Sequence, residues 1–444
     1  MVRGKFIKLI SVLGVLGFLL LLSAEHAQAV PSYARQTGMA CNLCHTAFPE
    51  LTSFGRSFKA SGYTLTQMKQ ITAGANAAKL ELNDILPLSL MLQTSYTRTE
   101  HKQPGTQNNN VEFPQQLSLF LAGEITNHVG SFIQATYTQE EDNLSMDNSD
   151  IRLADQSTLA GKEIIYGLTL NNNPTVADLW NSTPAWSFPY ASADSVPTPA
   201  ASALIDGGLA QAVAGLGAYA LWDDRLYADV TAYRTAEIGQ LQPTNASEDT
   251  IENVAPYWRL AWQHKWGDNY LELGHYGLYA QLYPQGISGQ TDKYTDIAFD
   301  LTYERKFGTD LLTVHSTYIY EDQDLDASYA AGDSQNQSND LRTFRLDANY
   351  YLDGSAVFSL AYFMIRGDSD NILYSPNQVD GSRNGSPDSD GLIAQVGYYP
   401  WQNIRLSLQY TAYFQFNGSS NDYDGFGRDA TDNNTLYALI WLVW

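Results

Sequence analysis

The sequence predicts a mainly β protein: an antiparallel outer-membrane β-barrel of about sixteen strands, preceded by a small α/irregular unit. Three observations predict it. From about residue 86 onward, apolar and polar residues alternate with a period of 2. Ile404, Leu406, Leu408, Tyr410, Ala412, Phe414 and Phe416 stand against Arg405, Ser407, Gln409, Thr411, Tyr413 and Gln415, so one face meets lipid and the other water. The connections between such segments alternate between tight turns and long polar loops. Although 44% of the residues are apolar and 29 are Tyr, no run beyond the amino terminus is long enough for a transmembrane helix.

Residues 1–29 read as a secretory signal peptide. Arg3, Lys5 and Lys8 form the basic n-region, Leu9 to Leu22 the apolar core, and Ala27-Gln28-Ala29 a small-residue cleavage site. Its removal takes a net two positive charges from the formal −23 and leaves −25. So acidic a chain argues against nucleic acid as a partner.

Residues 30–78 form a first unit too short to bury an adequate core by itself. Both cysteines of the chain fall here, in Cys41-Asn42-Leu43-Cys44-His45. Cys-x-x-Cys-His is the spacing at which two thiols bond haem vinyl groups and the adjacent His becomes an axial iron ligand. A zinc site needs about four ligands, and only His45 is near. A redox dithiol belongs in a βαβ context, which is missing. One covalent haem c is expected, attached at Cys41 and Cys44 and ligated by His45. Phe48, Leu51, Phe54, Phe58 and Tyr63 are expected to pack on the porphyrin or the barrel. Arg35, Arg56 and Lys59 are either partners for the haem propionates or a solvated basic face. The sixth ligand is not announced; Met68 is one candidate, and His315, lumen-facing by parity with Thr313 and Thr317, is a more distant one.

Residues 79–444 make the barrel, with segments near 88–99, 113–123, 130–140, 148–157, 162–170, 208–222, 225–234, 254–266, 269–283, 293–307, 310–322, 340–351, 355–367, 391–399, 403–417 and 432–444. An even count puts both ends of the barrel and its short turns, such as Trp266-Gly267-Asp268-Asn269, in the periplasm. Trp258, Trp262, Trp266, Trp441 and Trp444 are candidates for the interfacial girdle. The connection from Asn171-Asn172-Asn173-Pro174 through Trp180, Pro184, Trp186, Phe188 and Tyr190 to Pro199 is too long and aromatic for a plain turn. It is expected to fold into the lumen and narrow it.

Asp296, Asp300 and Glu304 share the polar face of one strand at intervals of roughly 13 Å. Carboxylates suit divalent cations, so this row is either a cation path or an ordinary solvated wall. Asp322, Asp324, Asp326, Asp368, Asp370, Asp380, Asp388, Asp390, Asp422, Asp424 and Asp429 make the predicted outer loops acidic too.

Ala34-Arg35-Gln36-Thr37-Gly38-Met39-Ala40-Cys41-Asn42-Leu43-Cys44-His45, followed by Pro49-Glu50-Leu51 and Phe54-Gly55-Arg56-Ser57-Phe58-Lys59, closely resembles the fused cytochrome-porin family, the outer-membrane iron oxidases of iron-oxidising bacteria. The stretch from Asn172 to Trp186 also looks like that of related porins, some of them phosphate-selective. The resemblance implies a porin-like barrel carrying a monohaem c-type cytochrome domain that plugs it from the periplasmic side or sits in its lumen. It also implies Fe(II) as extracellular electron donor and a periplasmic c-type cytochrome as acceptor. Two other readings remain: a cytochrome-porin using another extracellular reductant, and a cation-conducting porin whose haem unit is a plug or gate. An anion porin would want a lumen rich in Lys and Arg.

Overall fold

The protein is described from a computed structural model covering residues 31–46, 48–65, 70–73, 80–106, 108–139, 142–182, 187–236, 250–284, 286 and 288–444. The expected signal peptide, Met68, and Pro184 to Trp186 of the long loop lie outside the described residues.

Among those residues sixteen strands build the barrel: β1 (Leu88–Thr99), β2 (Asn110–Thr126), β3 (Val129–Thr138), β4 (Asn143–Leu159), β5 (Lys162–Asn171), β6 (Val213–Trp222), β7 (Leu226–Thr235), β8 (Ala255–Trp266), β9 (Asn269–Tyr283), β10 (Asp292–Phe307), β11 (Asp310–Asp324), β12 (Ser338–Leu352), β13 (Ala356–Gly367), β14 (Ser389–Trp401), β15 (Ile404–Gln415) and β16 (Thr435–Val443). Each pairs antiparallel with its chain neighbours, and β16 closes on β1 with Leu442 opposite Leu92. Closure satisfies every strand edge, the condition for a sheet to cross a membrane. The tight turns carry Gly267, Gly308 and Gly354 at φ of 54°, 65° and 62°, a conformation that Gly adopts without strain.

The two faces separate as the period of 2 requires. On β15, Leu408 and Tyr410 are exposed while Arg405, Ser407 and Gln409 are buried. The exposed apolar residues of successive strands form the lipid-facing band of a porin-like outer-membrane barrel. Trp262, Trp266 and Trp444 stand on this outer face. Trp441 does not: it shares the inward parity of Tyr437 and Leu439 and is buried, which removes it from the expected girdle.

The lumen holds the amino-terminal segment. Residues 31–65 form α1 (Pro31–Thr37), α2 (Cys41–Cys44) and α3 (Ser53–Ala60), the last capped by Thr52, whose hydroxyl accepts from the Gly55 amide at 3.1 Å. These short helices touch inward-facing groups around the barrel. Ser32 donates to the Ala122 carbonyl (2.7 Å), Tyr33 to that of Ser131 (2.6 Å) and Tyr63 to Asp150 (2.7 Å). Tyr219 donates to the Ala60 carbonyl (2.8 Å), Arg405 to that of Phe48 (3.3 Å), and Arg56 pairs with Glu304 at 2.7 Å. One segment can reach β2, β3, β4, β6, β10 and β15 together only from inside.

The long connection also folds inward, as its aromatics predict. Residues 173–182 are buried without interruption. Trp180 donates its indole N–H to the Tyr270 hydroxyl (2.6 Å), and Asp178 faces the buried guanidinium of Arg259 at 3.6 Å. Lys59 of α3 donates to the carbonyls of Val176 (2.6 Å) and Asp178 (2.7 Å), so loop and plug hold each other.

Candidate functional site

A cavity of about 330 Å³ opens between the plug, the barrel wall and the inward loop. Cys41, Cys44 and His45 all line it. The local fold brings them there for identifiable reasons. In α2, one turn long, the His45 amide bonds the Cys41 carbonyl at 2.9 Å. The helix α3 then returns so closely that a Cβ on Gly55 would lie 2.2 Å from the Cys44 carbonyl oxygen. Any side chain at position 55 would push α3 off the motif.

His45 is oriented by its own chain. Its Nδ1 lies 3.1 Å from the Pro49 carbonyl and 3.2 Å from that of Glu50. Carbonyls only accept, so Nδ1 carries the proton and the lone pair is on Nε2, the arrangement that prepares an imidazole for a metal. Burial pushes the imidazole down to about 4, against the pull of these two carbonyls and the Glu50 charge, which keeps it neutral at pH 7. Burial likewise pushes Cys41 up to about 12 and Cys44 up to about 11. A redox-active dithiol needs the opposite shift. Among the described residues no cluster of three or more His, Cys, Asp or Glu is placed to hold a metal ion.

The lining suits a flat amphipathic cofactor. Phe48, Leu51, Phe54, Phe58 and Tyr63 from the plug all face the cavity, joined by Met91, Phe120, Phe132 and Trp441 from the wall. Lys59, Gln116, Gln134, Asp178 and Asn181 add polar groups to the lining. His45 packs against Phe48 at 5.2 Å between ring centroids, and Phe48 against Trp441 at 5.2 Å, edge to face.

The other residues singled out by sequence scatter. Of the three basic residues, only Lys59 lines the cavity. Burial, with Arg152 nearby, lowers its amine to about 7. Arg35 donates to the Leu88 carbonyl. Arg56 is spent on Glu304, on the Leu51 carbonyl (2.7 Å) and on the face of Tyr270, 4.4 Å from the ring centroid. His315 is buried in the lumen, but Asp347 (2.9 Å) and Glu50 (3.3 Å) occupy both ring nitrogens. Asp296, Asp300 and Glu304 do not form an open row. Glu304 neutralises Arg56, Asp300 lies 2.5 Å from Arg259, and Asp296 accepts the Ile205 amide at 3.0 Å, all under the plug and loop. In the outer loops Asp370 is fully buried and gathers the amides of Gln335, Asn336, Ile372 and Leu373, a structural role. Asp322, Asp368 and Asp380 remain exposed.

Sequence reasoning missed the wall and loop contribution: Met91, Gln93, Phe120, Phe132 and Tyr190. Parity marks the strand residues as inward, but only the folded plug shows which inward residues share one cavity.

The barrel resembles solved outer-membrane proteins loosely. OmpT of Vibrio cholerae is 11% identical over 84% of this chain and 100% of its own, with a TM-score of 0.42. OmpF of Salmonella typhi, solved with daunomycin, is 12% identical over 84% and 100%, at 0.43. The outer membrane channel DcaP of Acinetobacter baumannii is 11% identical over 80% and 96%, at 0.44. No family profile and no curated protein sequence matches the chain. The class defined here, a plugged porin-like outer-membrane barrel, therefore rests on strand closure and the outward apolar band.

Proposed function

We propose that this chain is an outer-membrane cytochrome-porin. Fe(II) outside the cell is the electron donor, a periplasmic c-type cytochrome is the acceptor, and one haem c is carried on Cys41 and Cys44 with His45 as axial ligand. The observation that carries the reading is that these three residues line one cofactor-sized cavity inside a closed barrel. When bound, haem supplies one-electron redox chemistry.

The protein's own residues do the rest. The thiols of Cys41 and Cys44 would hold the haem as thioethers. The Pro49 and Glu50 carbonyls fix the His45 ring. Phe48, Phe58, Phe120 and Phe132 exclude water. Lys59, on the cavity lining, would be the charge nearest a propionate. Exposed Asp322, Asp368 and Asp380 draw a dication toward the outer mouth. The cavity lies close to the short-turn end, since Met91 and Phe132 are each the fourth residue of their strand. That location suits electron transfer to a periplasmic partner.

The test is to mix oxidised, haem-loaded protein with anaerobic Fe(II) and follow the visible spectrum. Reduced-haem absorbance should appear, and His45→Ala should abolish it while the barrel still inserts. No reduction over a range of pH would overturn the iron reading. In that case ion conductance would favour the cation porin, and reduction by another extracellular donor would favour the third reading.

A further inference from the structure

We infer that Met91, on the first barrel strand, supplies the second axial ligand to the iron; the inference rests on the haem reading above and deepens it. The cavity is lined by several side chains that can bind iron. Among the described residues lining it, the imidazole is His45 and the thioethers are Met39 and Met91. The phenols and the amine are committed elsewhere. The hydroxyl of Tyr33 goes to the Ser131 carbonyl, that of Tyr63 to Asp150 and that of Tyr190 to Glu50, and the Lys59 amine serves two loop carbonyls.

Of the two thioethers, Met91 is the better placed. It is 3% exposed and packs in one cluster with Phe58, Tyr63, Phe120 and Phe132. Gln93, two residues along the same inward face, points its amide nitrogen at the Met91 sulfur from 3.8 Å. The backbone beneath is held on both sides, by Ser118 of β2 and Val443 of β16. Met39 is half-buried and lies two residues before Cys41, on the same arm of chain that makes the thioether bond. Met91 instead reaches in from the wall, independently of the plug that carries His45. Three rotatable bonds and a soft sulfur let it adapt to a ligand position.

Two consequences follow. A thioether opposite imidazole raises the reduction potential of haem, as an acceptor for electrons from Fe(II) requires. An iron bond from plug to wall also fastens the cytochrome segment inside the barrel once haem is loaded.

The experiment is spectroscopic, on full-length haem-loaded protein. The oxidised wild type should show the weak red charge-transfer band of an iron–thioether bond. Met91→Leu should lose it, turn high-spin and titrate at a lower midpoint potential, while the haem stays covalently attached and the barrel stays folded. Met39→Leu and Met68→Leu should keep the band. Met91→His should restore a six-coordinate low-spin spectrum without it. A band that persists in Met91→Leu, or is missing from wild type whose haem is covalently bound, overturns the assignment. Wild type that carries no covalent haem overturns the haem reading and this inference with it.

Discussion

Replacing Arg56 with Met should release the plug without dissolving the barrel. Arg56 is the plug's ion-pair anchor to β10: its guanidinium lies 2.7 Å from Glu304, with the two side chains only 5% and 12% exposed. It also donates to the Leu51 carbonyl and to the Ser53 hydroxyl (3.0 Å), and it covers Tyr270. Removing one partner of a buried pair leaves the other charge uncompensated, at a cost of about 3–5 kcal/mol. At about 1.4 kcal/mol per tenfold, the population with the plug dislodged should rise by about two to three and a half orders of magnitude. The strand pairing that closes the barrel does not involve this side chain. Hydrogen exchange over residues 31–65 should therefore accelerate, and single-channel conductance should rise, while heat-modifiable barrel migration is kept. Arg56→Met with Glu304→Gln removes both charges and should recover most of the protection. If the single variant exchanges and conducts like wild type, or the double variant is as open as the single, the pair does not hold the plug.

Three further outcomes are expected. Haem staining should survive denaturing electrophoresis of protein made with intact haem-maturation machinery and vanish in Cys41→Ala/Cys44→Ala; an unstained wild type would refute covalent attachment. Tags near Asp326 or Asp380 should be labelled on intact cells and tags near Asp268 or Gly308 should not; equal labelling would refute the orientation of the barrel. Burial works against the Glu50 carboxylate, but His315, Tyr351 and Tyr190 hold it below the usual glutamate range. A depressed folded-state pKa contributes stability that is full above the unfolded value of about 4.3 and lost as pH falls below it. Exchange over the plug should thus rise on acidification in that window, and Glu50→Gln should flatten the dependence; an unchanged profile in the variant would refute the linkage.

The barrel was legible because its signal is repeated. Each of the sixteen segments read from alternation contains or overlaps a strand of the structure, and the errors sit at the ends: the sixth strand begins at Val213 rather than near 208, because residues 204–208 form a helical turn of the inward loop. The site was legible only where chemistry is local. Cys41, Cys44 and His45 are adjacent in sequence, and so is the turn that orients His45. Parity told which strand residues face inward but not what they meet there. Trp441 was a girdle candidate although its parity is inward and it packs on Phe48, and Asp300, either cation path or solvated wall by sequence, is neutralised by Arg259 from two strands away.

The plugged lumen bears on how the proposed electron transfer is arranged. From Gln93 on the cavity wall to Thr99 at the outer end of β1 is six residues, roughly 20 Å along the strand and about 15 Å along the axis of a tilted barrel. The lumen also holds the loop from Asn173 to Ser182, all buried, and Arg259 with its carboxylates. An ion passing at Arg259 would have to displace paired charges, each costing several kcal/mol to leave uncompensated. On the proposed reading the metal then meets the protein from the acidic outer side and its oxidised product stays there. On that reading only the electron would reach the cavity near the periplasmic rim.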